Sequence, residues 1–152
     1  MKPAPRALGI DLGEARVGVA ISDDLGMMAH PRETIAVDRA RPAATVQRIV
    51  EIATRESIGT IIVGLPRNMN GTDGPASAKA REFAETLRGK LPAGCEVRLL
   101  DERMTTVAAQ KALHASGRNV KQSRAVIDQV AAQMILQTFL DAESLKKMTN
   151  DE

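Results

Sequence analysis

The stretch Leu8-Gly-Ile-Asp-Leu-Gly-Glu-Ala-Arg-Val-Gly-Val-Ala-Ile-Ser22 decides how the rest of the chain folds. Two apolar, β-prone runs flank the turn-like segment Gly13–Arg16, a pattern that predicts a β-hairpin. Asp11 interrupts the first run, where an ionised carboxylate is costly to bury unless a positive group meets it. Glycines around Asp11 leave the backbone open to close approach by a partner. The hairpin therefore predicts either a turn-capping aspartate or a carboxylate held on a rigid sheet to bind a metal ion.

Composition indicates a small globular protein. The chain has 152 residues, of which 43% are hydrophobic and 26% charged, and its formal net charge is +2. These values predict one domain over residues 1–152 with flexible ends at 1–6 and about 145–152. The mild charge permits nucleic-acid binding without requiring it. With Phe83 and Phe139 as the only aromatic residues, a protein that stacks single-stranded bases on aromatic platforms is disfavoured.

Cysteine content and hydropathy favour a cytoplasmic protein. Cys95 is the single cysteine, so neither an internal disulfide nor a cysteine-based metal cluster is expected. Residues 1–6 lack the apolar stretch of a signal peptide. No apolar run approaches the roughly 20 residues that a membrane-spanning helix needs. His30 and His114 are isolated, and we expect core or surface roles for them.

Hydrophobic periodicity predicts the element order β-β-β-α-β-α-β-α-α. The three leading strands should form an antiparallel meander, and the later two, reached through helices, should run parallel in the same sheet. We therefore predict an α/β fold with a mixed five-stranded sheet and helices on both faces. Predicted strands cover 8–12, 17–21, 27–37, 60–66 and 96–102. Of the four predicted helices, the first starts at Pro42 and the second near Pro75 or Ser77. The third covers about 105–115 and the fourth about 124–142.

Further acidic residues lie where they could join Asp11. Asp101 and Glu102 end the fifth strand, and because neighbouring strand residues point to opposite faces, only one of them can face the same cleft. The residue pattern alone does not choose between them. Asp128 shares a helical face with the apolar residues 131, 132, 135 and 139, so it should point inward. The helix N-terminus stabilises such a charge by only ~0.3–1 kcal/mol, whereas burying an unpaired charge costs several kcal/mol.

A bound cation would offset the cost of burying the negative charge of Asp128. Oxygen-only ligands suit Mg²⁺ or Mn²⁺ better than Zn²⁺. Two such ions a few Å apart can activate a water molecule and stabilise the leaving oxygen of a phosphodiester. The alternative is a set of salt bridges, with Arg16, Arg103 or Arg124 as the partners.

Four segments together resemble the bacterial YqgF family, also called RuvX. They are Gly9–Asp23, Val63–Thr72, Asp101–Thr106 and Ile127–Gln137, in family order and at family spacing over nearly the whole chain. The resemblance implies an RNase H-like fold and places the catalytic, metal-binding acids at Asp11, Glu102 and Asp128, which selects Glu102 over Asp101. It also implies a nuclease that trims the 5′ end of precursor 16S ribosomal RNA, while some members of the family are described as Holliday junction resolvases.

Basic residues near these acids are the candidate nucleic-acid contacts. Arg118, Lys121 and Arg124 fall in a polar segment, 116–124, that we interpret as a mobile basic loop. Arg16 could neutralise a substrate phosphate or pair with an acid in the hairpin. Arg67 follows a central strand at its C-terminal end, where sites commonly form in α/β sheets. We expect these side chains to hold phosphates of a structured RNA or a branched DNA.

Three other functions compete with an RNA nuclease. A Holliday junction resolvase should cut symmetrically, which favours a homodimer. An ATP-binding function is the second, because Gly9–Gly13 resembles the phosphate-binding hairpin of actin-like and sugar-kinase ATPases. Those enzymes, however, pair two such domains around the nucleotide. YqgF-like domains inside larger transcription factors have lost acids, so the presence of all three acids here argues against a non-catalytic binding module.

Overall fold

The computed structural model of the protein describes residues 5–105 and 120–150, with the side chains of the last helix described from residue 127 to 149. Five strands form one mixed sheet in the order β3-β2-β1-β4-β5. Strands β1, β2 and β3 make the antiparallel meander, and β4 and β5 run parallel to β1. The predicted sheet and its strand directions are confirmed. The strands are β1 Ala7–Leu12, β2 Arg16–Ser22, β3 Ala29–Ala36, β4 Thr60–Leu65 and β5 Glu96–Asp101.

Helices cover both faces of this sheet, as predicted. Helix α1, Ala43–Arg55, and helix α2, Pro75–Arg88, bury their apolar stripes against one face. A long helix, α3, Val120–Asn150, covers the other face. Pro75 opens α2 behind Gly74, where a proline costs no hydrogen bond. Among the described residues, no helix combines the length and the apolar character needed to cross a membrane.

The two faces of the sheet differ in side-chain size. Large side chains such as Leu8 and Ile10 of β1 point toward α1 and α2 and are fully buried there. Toward α3 the strands present small residues, among them Gly9 and Gly18. Because side chains alternate along a strand, this division follows from the sequence of each strand. Small residues let the α3 backbone approach the sheet closely, which sets the geometry of the candidate site.

Three glutamines on one face of α3 tie this helix to the edge strand β3. Gln129 donates to the Thr34 hydroxyl at 3.0 Å, and Gln133 donates to the carbonyl oxygen of Ala29 at 2.9 Å. Gln137 accepts from the backbone N–H of Ala29 at 2.9 Å. An edge strand has unpaired backbone groups, and these side chains satisfy some of them. The contacts hold α3 along the sheet in one register.

The last helix differs from its prediction at both ends. It begins at Val120 rather than near 124, so residues 120–124 of the predicted basic loop are helical. It continues to Asn150, through most of the segment expected to be a polar tail. At the other terminus, Arg6 donates to Glu56, and its carbonyl oxygen accepts from the backbone N–H of Gly59 at 2.9 Å. The helix predicted over about 105–115 lies, apart from residue 105, in the segment 106–119 that is outside the described residues.

Candidate functional site

Asp11 lies in β1 between two glycines on the neighbouring strands. Gly18 of β2 pairs with it directly. Ile10 pairs with Val63 of β4, so the same register places Gly64 beside Asp11 on the other side. All three residues face α3, since paired residues on adjacent strands point to the same face of a sheet. The Asp11 side chain is therefore flanked by bare backbone, although the residue is only 1% exposed.

Asp128 lies above the first of these glycines. A Cβ atom on Gly18 would stand 2.0 Å from the carbonyl oxygen of Asp128 and 3.2 Å from its Cα. One turn further along α3, a Cβ atom on Gly9 would stand 2.6 Å from the carbonyl oxygen of Ala132. Directly opposed positions in an antiparallel pair are about 5 Å apart. The helix thus brings Asp128 next to Asp11, from more than one hundred residues away in the sequence.

Glu102 lies above the second glycine. It begins a short 3₁₀ helix, Glu102–Met104, directly after β5, an element that the sequence pattern did not predict. Its Oε1 atom lies 2.7 Å from the position of a Cβ on Gly64, and the residue is 8% exposed. Because residue 64 of β4 is a glycine, the Glu102 carboxylate can extend over β4 from the end of β5 toward β1. Asp11 and Glu102 therefore face the same cleft.

Asp101 points to the opposite face of the sheet. It pairs with Leu65 of β4, which packs in the core under α1 and α2. Arg103 donates to its carboxylate, with Nη2 at 2.7 Å from Oδ2, and lowers the pKa of Asp101 from 3.8 to about 2. The alternation of strand side chains thus supports Glu102 as the acid of the cleft, in agreement with the family resemblance.

An arginine from the hairpin already pairs with Asp128. Arg16 Nε donates to Asp128 Oδ2 at 3.0 Å. The Arg16 side chain is 31% exposed and that of Asp128 17%. From the sequence, Arg16 is expected either to neutralise a substrate phosphate or to pair with an acid in the hairpin. The structure shows an ion pair, but the acid that Arg16 contacts is on α3 rather than in the hairpin. This contact is one of the salt bridges that the residue pattern offered as the alternative to a metal site.

The carboxylates do not form a ready metal cage with their present side-chain conformations. Within residues 5–105 and 127–149, no three histidine, cysteine or acidic side chains lie close enough together to hold a metal ion. The close convergence that the sequence analysis expected is therefore incomplete. The backbone positions bring the three acids to one cleft. The Asp128 side chain, however, contacts the Arg16 guanidinium and does not form a cluster with the other two carboxylates.

Arg67 belongs to an ion-pair cluster that stabilises the loop after β4. Its Nε donates to Asp73 at 3.1 Å, and its Nη1 lies 3.6 Å from Asp101. Arg81 of α2 also donates to Asp73, at 2.8 Å. The backbone of Arg67 pairs with that of Asp73 as an isolated bridge. Arg67 thus shapes the loop at this edge, a role that the sequence analysis missed because its partners come from separate segments.

The remaining predicted nucleic-acid contacts are not defined by the structure. Arg118 lies outside the described residues. Lys121 and Arg124 are in the first turns of α3, and only their backbone positions are described. These positions put two basic residues on the same helix as Asp128, within two turns of it.

A cavity of about 480 Å³ opens at the same edge on the opposite face of the sheet. Its apolar walls include Leu12, Pro66 and Phe83. Lys79 at this cavity lies 3.6 Å from Glu14 of the hairpin turn. The sheet separates this cavity from the acidic cleft under α3, because the walls come from the α2 side.

Known proteins similar to this chain were found by sequence and by structure. A sequence model of the RuvX family, described as Holliday junction resolvase, matches residues 5–142. A relative from Pelotomaculum thermopropionicum is 46% identical over 91% of this chain and 88% of its own length. One from Leifsonia xyli is 49% identical over 90% and 85%, and one from Geobacillus kaustophilus is 44% identical over 91% and 99%. All three carry the name "Putative pre-16S rRNA nuclease".

Two solved structures share the fold at low sequence identity. T. thermophilus RuvC in complex with a Holliday junction substrate matches with a TM-score of 0.55 and 17% identity, over 93% of this chain and 96% of that one. The fowlpox virus Holliday junction resolvase matches with a TM-score of 0.51 and 12% identity, over 90% and 99%. The similarity confirms the α/β architecture predicted from the sequence.

Proposed function

The chain belongs to the RuvX family, and on this premise we propose that it is a nuclease that hydrolyses phosphodiester bonds in structured nucleic acid. We propose the 5′ end of precursor 16S ribosomal RNA as the substrate, in the cytoplasm. The observation that carries the proposal is the row Gly18–Asp11–Gly64, with Asp128 above one glycine and Glu102 above the other. Carboxylates collected in one cleft of a rigid sheet are suited to divalent-metal chemistry.

The residues present suit Mg²⁺ or Mn²⁺ by their chemistry. Asp11, Glu102 and Asp128 offer only oxygen ligands, which these ions prefer. Gly64 provides the space that the Glu102 carboxylate occupies, because a Cβ there would stand 2.7 Å from its Oε1. In the proposal, Asp11, Glu102 and Asp128 would together hold these ions. When bound, such ions activate a water molecule and stabilise the leaving oxygen of the phosphodiester.

The protein itself supplies position and charge rather than a covalent nucleophile. The backbone of Asp11 is held by its pairing with Gly18 of β2 and by the adjacent pairing of Ile10 with Val63 of β4, so the origin of its side chain is fixed on the sheet. Glu102 is held where β5 passes into the 3₁₀ helix, and its carbonyl accepts from the Thr105 hydroxyl at 2.7 Å. Rigid elements of this kind hold ligands in the geometry that the reaction requires.

Basic residues along one side of the cleft hold the substrate backbone in this proposal. Arg16 lies beside Asp128, and Lys121 and Arg124 precede it on α3. Arg118 belongs to the same basic segment of the sequence. Contacts of this type position a nucleic acid without reading its sequence. We assign Arg67 a supporting role in the loop, since its guanidinium is near both Asp73 and Asp101.

A Holliday junction is the second candidate substrate, because the matching family model is described as a resolvase. A resolvase makes paired cuts related by two-fold symmetry, so this candidate requires a homodimer. Light scattering of the protein with and without a four-way junction would measure the oligomeric state. A monomer that nicks a single arm would count against this candidate.

The proposal is tested by cleavage of two labelled substrates in Mg²⁺ and in Mn²⁺. One is an RNA that carries the 5′ leader of 16S ribosomal RNA, and the other is a four-way DNA junction. We expect the wild-type protein to shorten the RNA leader and Asp11→Asn to lose roughly 100-fold or more of that rate. Glu82→Gln, an exposed acid on α2, is the matched control and should retain the wild-type rate.

Two results would contradict the proposal. Equal rates for Asp11→Asn and Glu82→Gln would remove Asp11 from the chemistry and point to a contaminating nuclease. Saturable binding of both substrates without cleavage in either ion would indicate a non-catalytic binding module instead.

A further inference from the structure

We propose that Arg16 is a built-in substitute cation for Asp128, and that a divalent ion competes with its guanidinium for the Asp128 carboxylate. This inference rests on the proposed function, since it concerns how the same cleft takes up its metal. It makes Arg16 a positioning residue that sets metal affinity. The metal-free and metal-loaded proteins then differ in the partner of one carboxylate.

The first support is that Asp128 already has a cationic partner. Arg16 Nε lies 3.0 Å from Asp128 Oδ2, a normal length for a charge-assisted hydrogen bond. Asp11 is buried beside Asp128 across the Gly18 pair. Two carboxylates in one cleft repel each other, and a guanidinium next to one of them reduces that repulsion. The ion pair thus lowers the electrostatic cost of holding the two carboxylates near each other.

The second support is that the backbone of both partners is fixed while the Arg16 side chain can leave. The Arg16 carbonyl accepts from Gly13 N–H at 2.9 Å and closes the hairpin turn. Asp128 is fixed by its backbone contact with Gly18. The Arg16 side chain, however, is 31% exposed, so rotation about its own bonds would move the guanidinium into water. A partly exposed ion pair of this kind is weak enough to exchange.

The third support is that the ion pair and a complete metal site compete for one carboxylate. Among residues 5–105 and 127–149, no three potential ligands lie close enough together to hold an ion, although the backbone brings three acids to the cleft. A guanidinium beside Asp128 also repels an incoming divalent cation. Loss of Arg16 should therefore raise metal affinity, whereas loss of a typical structural arginine should leave it unchanged.

The test is Mn²⁺ binding measured by electron paramagnetic resonance, without nucleic acid, on the wild-type protein and two charge-matched variants. Arg16→Gln removes the proposed substitute cation. Arg48→Gln is the control, because Arg48 is 34% exposed and pairs with Glu33, on β3. We expect Arg16→Gln to bind Mn²⁺ about two- to five-fold more tightly than Arg48→Gln. Equal or weaker binding by Arg16→Gln would overturn the inference.

A second measurement uses the unmodified protein and so avoids any effect of substitution on folding. In ¹⁵N spectra of arginine side chains, Arg16 Nε–H should exchange slowly with water without metal and rapidly at saturating Mg²⁺. Arg48 Nε–H, which is 2.9 Å from Glu33, should not change. Slow exchange of Arg16 Nε–H at saturating Mg²⁺ would also overturn the inference.

The same titrations separate this inference from the proposed function. If the wild-type protein binds Mn²⁺ and Asp11→Asn does not, the metal site stands and the two arginine variants decide the role of Arg16. If the wild-type protein binds no Mn²⁺, the proposed metal chemistry fails and the inference about Arg16 fails with it.

Discussion

The carbonyl oxygen of Asp128 on α3 lies 2.0 Å from the position that a Cβ atom on Gly18 of β2 would occupy. At position 18 of β2, no side chain larger than a hydrogen atom fits beneath this helix. Because Gly18 pairs with Asp11, the contact also sets the position of Asp128 relative to Asp11. One glycine therefore serves both the packing of α3 and the geometry of the acidic cleft.

Substitution Gly18→Ala should push α3 away from the sheet. The clash is with backbone atoms, which cannot rotate aside, so we expect a loss of at least about 1–3 kcal/mol in the free energy of unfolding. Urea denaturation measures this loss. Gly89→Ala is the control, because its nearest contact would be an ordinary 3.6 Å from the carbonyl oxygen of Thr86; it should change stability by less than about 0.5 kcal/mol. Equal effects of the two substitutions would contradict the close approach of α3.

Substitution Gly64→Ala should harm the site more than the fold. A Cβ there would meet Glu102 Oε1 at 2.7 Å and Ile135 Cδ1 at 2.6 Å, and both atoms are side-chain ends that can move. We expect a smaller loss of stability than for Gly18→Ala, together with a displaced Glu102 and weaker Mn²⁺ binding. Mn²⁺ titration and urea denaturation of the same samples check this. If Gly64→Ala binds Mn²⁺ as tightly as the wild-type protein does, then Glu102 does not need the space above Gly64.

The adjacent acids Glu102 and Asp101 should differ sharply in function. Glu102→Gln removes a carboxylate from the cleft, so we expect the cleavage rate to fall roughly 100-fold or more. Asp101→Asn alters the opposite face, where Leu65 is its strand partner, and should leave the rate close to that of the wild type. Both rates should be measured on samples shown to be folded by circular dichroism. Similar losses for both variants would contradict the assignment of the two side chains to opposite faces.

Acid titration should reveal the ion pair of Asp101. Arg103 lowers the pKa of Asp101 from 3.8 to about 2, so the pair stabilises the protein above pH 3.8 and loses its effect as pH falls through about 2. The stability difference between wild type and Asp101→Asn should therefore shrink over that interval. Carboxyl chemical shifts measure the pKa directly. In Arg103→Gln the pKa of Asp101 should rise toward 3.8, and an unchanged value would rule out Arg103 as its main cause.

The basic start of α3 should contribute to nucleic-acid affinity through charge alone. If Lys121 and Arg124 contact phosphates, replacing both with Gln should reduce the slope of log affinity against log salt by about 0.7–0.9 for each charge. Fluorescence anisotropy with labelled RNA and junction DNA, in EDTA to prevent cleavage, measures the slope. Lys146→Gln is the control, since Lys146 lies near the far end of α3 and is 69% exposed. A slope equal to that of the control would exclude both residues as phosphate contacts.

Residue patterns alone are enough to predict the direction of every strand and the order of the strands and α-helices that the structure describes. In β1, large residues such as Leu8 and Ile10 alternate with Gly9 and Asp11, and this pattern assigns the two faces of the sheet. Periodicity also places Asp128 on the buried side of its helix. These features are local, because the periods of strands and helices are properties of neighbouring residues. The candidate acids therefore follow from the sequence, with the family resemblance selecting Glu102 over Asp101.

How those acids meet, and what accompanies them, depends on the packed chain. The pairing of Arg16 with Asp128, the space above Gly64 for Glu102 and the ion pairs of Arg67 each join segments that are separate in the sequence. Such contacts depend on the register of strands and on the close approach of α3 to the sheet, and neither leaves a periodic signal in the sequence. Physically, a carboxylate on one segment is stabilised by whichever cation the fold brings within about 3 Å, so its partner is fixed only when the chain is packed.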